Sequence, residues 1–331
     1  MTDRPRGRTR RLQAGPAGVA EAAACIKSGG LVAMPTETVY GLAADATSER
    51  AVAGIYAAKQ RPIFNPLIAH VLDRGAASFE AVFDRHAERL AKAFWPGPLT
   101  IVAPIAPTCR VSALARAGLD SVALRAPSHP AARALIEAAG VPLAAPSANR
   151  SGHVSPTRPE HVLADLDGRI DIVLDAGPTE AGLESTIVAC LGGAPRLLRH
   201  GALPLEAIEA ALGFAILAED RADDTAPRGP GMLSSHYAPA ALLRLDARSV
   251  EADGAALDFA GALAASGAAK RLDLSPSGDL TEAAANLFSY LRMLDDSGAG
   301  RISVAPVPTH GLGAAINDRL RRAAAPRPST N

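Results

Sequence analysis

Pro35-Thr36-Glu37-Thr38-Val39-Tyr40-Gly41-Leu42 follows a short apolar run, residues 31–34, which reads as a strand. Residues 17–30 before it carry apolar side chains at helical spacing and close on Gly29-Gly30. Helix, strand, then polar side chains at the strand's carboxyl end is how open α/β sheets present ligand sites. Taken alone, Thr36 and Thr38 fit a packed turn equally well. The alternation continues outward. Ser48 is a helix N-cap with Glu49 in the first turn, and Val52, Ile55 and Tyr56 follow at helical spacing. That helix must end before Pro62, which excludes Arg61 from helical conformation. Strand patterns over 67–71, 99–104, 122–125, 141–145, 170–175 and 185–189, with helices over 86–94 and 131–139, describe an α/β or α+β unit with a mixed sheet.

Periodicity lapses over residues 218–235, where charge, Pro and Gly dominate. Strand patterns return at 241–245 and 301–304, with a long helical pattern over 280–294. The expected division is a disordered basic tail at 1–14, a catalytic unit at 15–214, an interdomain linker at 215–239 and a small α/β accessory unit at 240–331. The Arg-rich opening has no apolar run behind it, so it is not a secretory signal.

The chain has 331 residues, 48% of them hydrophobic, enough for a sizeable core, and only 4% aromatic. Lys and Arg number 34 against 34 Asp and Glu, which leaves no chain-wide electrostatic footprint for nucleic acid. Cys25, Cys109 and Cys190 form no C-x-x-C pair, so they read as buried thiols of a cytoplasmic protein. No apolar run reaches the length of a membrane span.

Lysine occurs only at positions 27, 59, 92 and 270, so Lys59-Gln60-Arg61-Pro62 stands out. An ammonium and a guanidinium two residues apart at a helix exit suit a polyanion, and equally a solvated helix end. His70 closes an apolar run, where a satisfied core imidazole and a ligand are both open readings. Arg125 closes the strand pattern Val122-Ala123-Leu124-Arg125 and must find an anion, for which a substrate carboxylate is suited. Ala145-Pro146-Ser147-Ala148-Asn149-Arg150-Ser151-Gly152 supplies hydroxyl and amide groups with close backbone approach. The chain has no G-x-x-x-x-G-K-[ST], no H-E-x-x-H and no G-x-S-x-G.

Together these segments resemble the YrdC-like family in its two-domain form. The resemblance rests on the 35–42 run, Lys59-x-Arg61-Pro62 with Asn65-Pro66-Leu67 and His70, and Trp95-Pro96-Gly97-Pro98-Leu99-Thr100. It continues through Arg125-x-Pro127-x-His129-Pro130, Pro146-Ser147-Ala148-Asn149-x-Ser151-Gly152, Glu184-Ser185-Thr186 and Leu198-Arg199-x-Gly201. Beyond the linker, Pro230-Gly231-Met232, His236-Tyr237-Ala238-Pro239, Gly311-Leu312-Gly313 and Asn317-Asp318-Arg319-Leu320 extend it to nearly the whole chain.

The resemblance implies a twisted, largely parallel open sheet with a smaller Rossmann-like α/β domain, and a linker lying over the active site. It implies a nucleotidyltransferase that joins L-threonine, bicarbonate and ATP into threonylcarbamoyl-AMP, releasing pyrophosphate. A separate tRNA threonylcarbamoyl transferase complex then modifies the adenosine beside the anticodon, with tRNA contact possible. By resemblance, Thr36, Thr38, His70, Arg125, Ala145 and Ser185 hold threonine. Lys59, Arg61, Asn65, Ser121, Ser147, Asn149, Ser155, Arg199, Ser235 and Tyr237 line the ATP side, with Mg²⁺ on the phosphates rather than on protein side chains. Lys59, Arg61, Ser147 and Asn149 are the expected catalytic set. Ser121 stands where Thr is expected, and Leu233-Ser234-Ser235 replaces a bulkier basic pair. The competing expectation is a non-catalytic double-stranded RNA-binding module, against which the neutral charge counts. A hydrogenase-maturation relative would carry zinc fingers, and the chain has no C-x-x-C pair.

Overall fold

The computed structural model describes residues 7–218, 237–251, 254–265 and 267–325. Its strands are β1 (Arg10–Gln13), β2 (Val32–Met34), β3 (Gly41–Asp45), β4 (Ile68–His70), β5 (Leu99–Pro104), β6 (Ser121–Arg125), β7 (Leu143–Ala144), β8 (Ile172–Asp175), β9 (Thr186–Ala189), β10 (Arg196–Arg199) and β11 (Leu217–Ala218). They form one sheet in the order β1-β8-β2-β3-β7-β4-β6-β5-β9-β10-β11. Five of its pairings are parallel and five antiparallel. The sheet is therefore mixed, as the patterning implied, rather than largely parallel. Strands such as β2 and β3 are joined by a short turn, which permits only antiparallel pairing.

The helices are α1 (Pro16–Lys27), α2 (Glu49–Lys59), α3 (Arg74–Ser78), α4 (Arg85–Phe94), α5 (Pro130–Ala139), α6 (Pro159–Leu166) and α7 (Leu205–Leu212). Successive strand residues point to opposite faces. Thus Leu31, Ala33 and Val173 join the core under α2, α4, α6 and α7. Val32, Met34, Ile172 and Leu174 pack under α1 and α5. Beyond the reach of α1 and α5, Ile68, Val102, Ala123, Ile187, Ala189 and Leu198 form a separate apolar floor.

Residues 10–13, expected in a disordered tail, instead form β1, in register with β8 from Arg10↔Ile172 to Gln13↔Asp175. The charge that made this segment look disordered is neutralised far along the chain: Arg11 pairs with Asp175 at 2.8 Å and Glu160 at 2.6 Å. At the other boundary, β11 carries the large sheet past residue 214. Residues 219–236 of the expected linker lie outside the described residues.

The second unit has a parallel sheet, β12 (Leu242–Arg244), β13 (Ala255–Asp258), β14 (Lys270–Asp273) and β15 (Arg301–Val304), in the order β12-β15-β13-β14. Helices α8 (Leu280–Asp295) and α9 (Leu312–Ala324) pack with it. Its core also takes in Val39, Val154 and Leu183 from the first unit, so the two units share apolar packing. No helix among the described residues is long and apolar enough to cross a membrane.

Candidate active site

The cleft lies over β4 and β6, with Ile68, His70 and Arg125 of these strands in its lining. In this parallel pair His70 faces Arg125 and Ile68 faces Ala123. Period-two alternation puts Ser121 on the same face as Arg125, about 13 Å away at the far end of β6. The strand pair thus runs between two ends of different chemistry.

At the first end Arg125, only 3% exposed, donates from Nη1 to Thr38 Oγ1 at 2.9 Å and from Nε to the Gly97 carbonyl at 3.3 Å. Its Nη2 lies 2.7 Å from Glu37 Oε1, out of line for a hydrogen bond, so Nη2 and both Glu37 oxygens have no aligned partner. Burial pushes the Glu37 carboxyl up, but the adjacent Arg125 outweighs it and holds the carboxyl below its ordinary range. Thr36 Oγ1 lies 2.8 Å from Thr38 Oγ1 and donates to the Val39 carbonyl at 2.7 Å, a side-chain turn that fixes both hydroxyls. His70 is buried, with Nδ1 unpartnered. Burial, then the charge of Arg125, lowers its imidazole to about 3, so it is neutral at physiological pH. Ser185 Oγ lies 2.7 Å from Thr100 Oγ1, and Arg199 Nη2 donates to the Ser185 carbonyl at 2.8 Å.

The walls come from close backbone contact between two loops. Leu42 N donates to the Pro146 carbonyl at 2.7 Å and Ala148 N to the Tyr40 carbonyl at 2.8 Å. A Cβ at Gly41 would sit 3.3 Å from that of Ala145, so a side chain there would crowd the 145–147 turn.

At the second end Gln60, in the left-handed conformation at φ 53, caps α2 and turns the chain so that Arg61 lines the cleft. Arg61 Nη2 donates to the Pro66 carbonyl at 3.2 Å, and burial lowers its pKa to about 10, which leaves it cationic. Lys59 is fully buried and does not line the cleft. Its Nζ donates to the Ser147 carbonyl at 2.5 Å and to that of Asn149. Burial, then the charge of Arg61, pushes its pKa well below the ordinary lysine value. Asn149 Nδ2 donates to the carbonyls of Arg150 and His153, both at 2.8 Å. Its Oδ1 and both amide atoms of buried Asn65 have no partner. Ser155 donates to Glu184 Oε1 at 2.5 Å.

Thr36, Thr38, Arg61, His70, Arg125, Ala145, Ser147, Ser185, Arg199 and Tyr237 therefore converge on one cleft. Lys59, Asn65, Ser121, Asn149 and Ser155 stand behind it or beyond its lining, and Ser235 lies outside the described residues. Three residues enter that sequence reasoning gave no role: Glu37 and Glu184 sit inside quoted motifs, and Arg319 inside a C-terminal one. Three lining guanidinium groups make this an anion pocket, and no cysteine lines it. Among the described residues no group of three or more His, Cys, Asp and Glu side chains is placed to hold a metal ion.

Comparison with known proteins agrees with both halves of this architecture. The sequence profile of the Sua5/YciO/YrdC family, described as telomere recombination, matches residues 24–201. A profile described as threonylcarbamoyl-AMP synthase, C-terminal domain, matches residues 203–325. The chain is 40% identical to the threonylcarbamoyl-AMP synthase of Bacillus subtilis over 93% of each chain. It is 42% identical to that of Pyrococcus abyssi, over 91% of this chain and 92% of the relative. The crystal structure of P. abyssi Sua5 complexed with L-threonine superimposes with a TM-score of 0.86 at 38% identity, over 96% of both chains. The chain belongs to the Sua5/YrdC family, in the form that joins a YrdC-like unit to a Sua5 C-terminal domain.

Proposed function

We propose that this protein is a nucleotidyltransferase that makes threonylcarbamoyl-AMP from L-threonine, bicarbonate and ATP. The observation that carries the reading is the cleft over β4 and β6, with Arg125, Thr38, His70 and Ser185 at one end and Arg61, Ser147, Arg199 and Tyr237 along the rest of its lining.

In this reading the threonine carboxylate docks on Arg125 Nη2, which lacks an aligned acceptor. Neutral His70 adds no second positive charge beside the substrate's amine, which must itself be neutral to attack carbon dioxide derived from bicarbonate. The new C–N bond gives a carbamate, and the proton shed by the nitrogen leaves as water with the hydroxide released when bicarbonate dehydrates. A carbamate oxygen then attacks the α-phosphorus of ATP, and the bond to the bridging oxygen of the leaving pyrophosphate breaks. The protein needs no nucleophile for these steps. It needs two anions held in line and the developing charge neutralised, which Arg61 and Arg199 supply as fixed cations. Lys59 acts one layer out, by holding the Ser147 and Asn149 carbonyls. Mg²⁺ would enter as the companion of the ATP phosphates, offsetting part of their charge. The product would pass to a tRNA threonylcarbamoyl transferase complex in the cytoplasm, with any tRNA contact made at that stage.

The test is pyrophosphate release by the purified chain with the adenylate detected by mass. Release must require threonine, bicarbonate and ATP together. Folded protein that forms no adenylate from the complete mixture refutes the proposal, and tight, steeply salt-dependent RNA binding in its place would favour an RNA-binding module.

A further inference from the structure

Arg319 belongs to α9 of the C-terminal unit, yet its guanidinium packs directly behind two residues that line the cleft, Glu184 and Tyr237. It is fully buried. Nε donates to Glu184 Oε2 at 2.9 Å, and Nη1 donates to the His200 carbonyl at 2.9 Å and to Asp318 Oδ2 at 2.6 Å. Glu184 lines the cleft, and its other carboxylate oxygen accepts the Ser155 hydroxyl at 2.5 Å. Tyr237, also lining, has its ring centroid 5.2 Å from Arg319 Cζ and stacks on Phe288 of α8 at 5.4 Å. Burial would push the Glu184 carboxyl up. The charges of Arg319 and Arg199 and the Ser155 hydroxyl bring it instead to about 2, so it is an ionised, acceptor-only group. One cation from the second unit therefore fixes, from behind, two lining residues of the first unit's cleft and a hydroxyl attached to one of them.

We propose that Arg319 is a positioning residue for the nucleotide side of the cleft: through Glu184 and Tyr237 it makes the C-terminal unit part of the active site. This rests on the assignment of that side to ATP. Ser185 follows Glu184 in sequence but has its own fixings, Thr100 Oγ1 at 2.7 Å and Arg199 Nη2 at 3.2 Å from its hydroxyl. Loss of Arg319 therefore acts on ATP more than on threonine.

The experiment compares full-length Arg319→Met and Arg319→Lys with the parent chain, varying ATP and threonine separately and recording urea unfolding of each. In Arg319→Met, kcat/KM for ATP falls by about ten- to a hundredfold, the scale of a displaced wall residue. The KM for threonine stays within about twofold. Arg319→Lys recovers part of the loss, because an ammonium still pairs with Glu184. A folded Arg319→Met protein with unchanged ATP dependence, or with both substrates weakened equally, overturns the proposal. Should Arg319→Met not fold, Glu184→Gln keeps the shape and removes the charge. It must show the same ATP-selective loss, and parental ATP kinetics in that variant also overturn the proposal. Calorimetric titration with ATP alone separates this from the proposed reaction. If the parent chain binds ATP but forms no adenylate, weaker ATP binding by Arg319→Met still supports the positioning role, and equal binding overturns it.

Discussion

Lys59 Nζ donates to the Ser147 carbonyl at 2.5 Å, and Ser147, not Lys59, lines the cleft. The Lys59 amine is buried, not the solvated helix end that its position in sequence allows. It is a brace under the 147–149 turn, which also receives its bond at the Asn149 carbonyl. Lys59→Met keeps the aliphatic stem and leaves the buried Asn149 carbonyl and the part-buried Ser147 carbonyl without this donor. Each such group costs about 1–3 kcal/mol. We expect a lower urea midpoint together with lost adenylate formation, since the turn loses its support. Lost activity with an unchanged midpoint would place the ammonium on the phosphates instead.

Arg125 and Glu37 make a separable pair. Removing one partner of a buried ion pair costs about 3–5 kcal/mol, because the other charge stays buried and uncompensated. Arg125→Met therefore destabilises strongly and raises the KM for threonine. Combining it with Glu37→Gln removes the stranded carboxylate, so the double variant regains most of the stability. Threonine binding must remain weak, since its carboxylate still lacks a cation. A double variant with parental threonine KM would mean that Arg125 is a structural partner of Glu37 and nothing more.

What could be read in the sequence follows the range of the signals. Ser48, Val52, Ile55, Tyr56 and Pro62 all act within one helix, and α2 begins and ends where they place it. Residues 99–104 form β5 in full, because an apolar run bounded by prolines needs no distant information. The strand β13 escaped detection because Ala255 and Ala256 carry little strand preference, although all four of its residues are buried. Arg319 sits inside a recognisable motif, but nothing local gave its role: its partner Glu184 lies 135 residues away, and only the packing of the two units brings them together. The site divides in the same way. Lining residues at strand ends were legible, whereas the inward or outward direction of Lys59 depended on the 147–149 turn folding over it.

His70 predicts an acid limb in stability. Its folded pKa is about 3, lowered by burial and then by Arg125, against 6.5 for the free group. Between these values the unfolded chain binds a proton that the folded chain refuses, so stability rises with pH across that window and is lost on acidification through it. The full contribution is on the order of a few kcal/mol. In His70→Phe the slope of stability between pH 6.5 and 4 should flatten relative to the parent. Glu184, at about 2 when folded against 4.5 when free, loses its contribution only between those values, below most of that range and alike in both proteins, so it does not mask the test. Parallel pH profiles in the two proteins would show that His70 charges freely in the folded state.

Gly182 reports how tightly the two units are joined. It adopts φ +69, and a Cβ there would lie 2.4 Å from the Ala284 carbonyl oxygen and 2.5 Å from Ala285 Cα, backbone atoms of α8 that cannot rotate aside. Gly177 is its control, with φ +77 and nothing within 4 Å of the place a Cβ would take. Alanine at either position carries the strain of the left-handed region, about 1–3 kcal/mol. Gly182→Ala must in addition push α8 away from the 182–184 segment, straining the Thr157–Ser289 hydrogen bond at 2.9 Å and the Arg292–Asp165 ion pair at 2.9 Å. We expect Gly182→Ala to unfold at lower urea than Gly177→Ala. Because Leu183 and Glu184 follow directly, its ATP dependence should weaken in the manner of Arg319→Met. Equal destabilisation by the two alanines would mean that the contact between the units yields without cost, and that the second unit has no firm hold on the cleft.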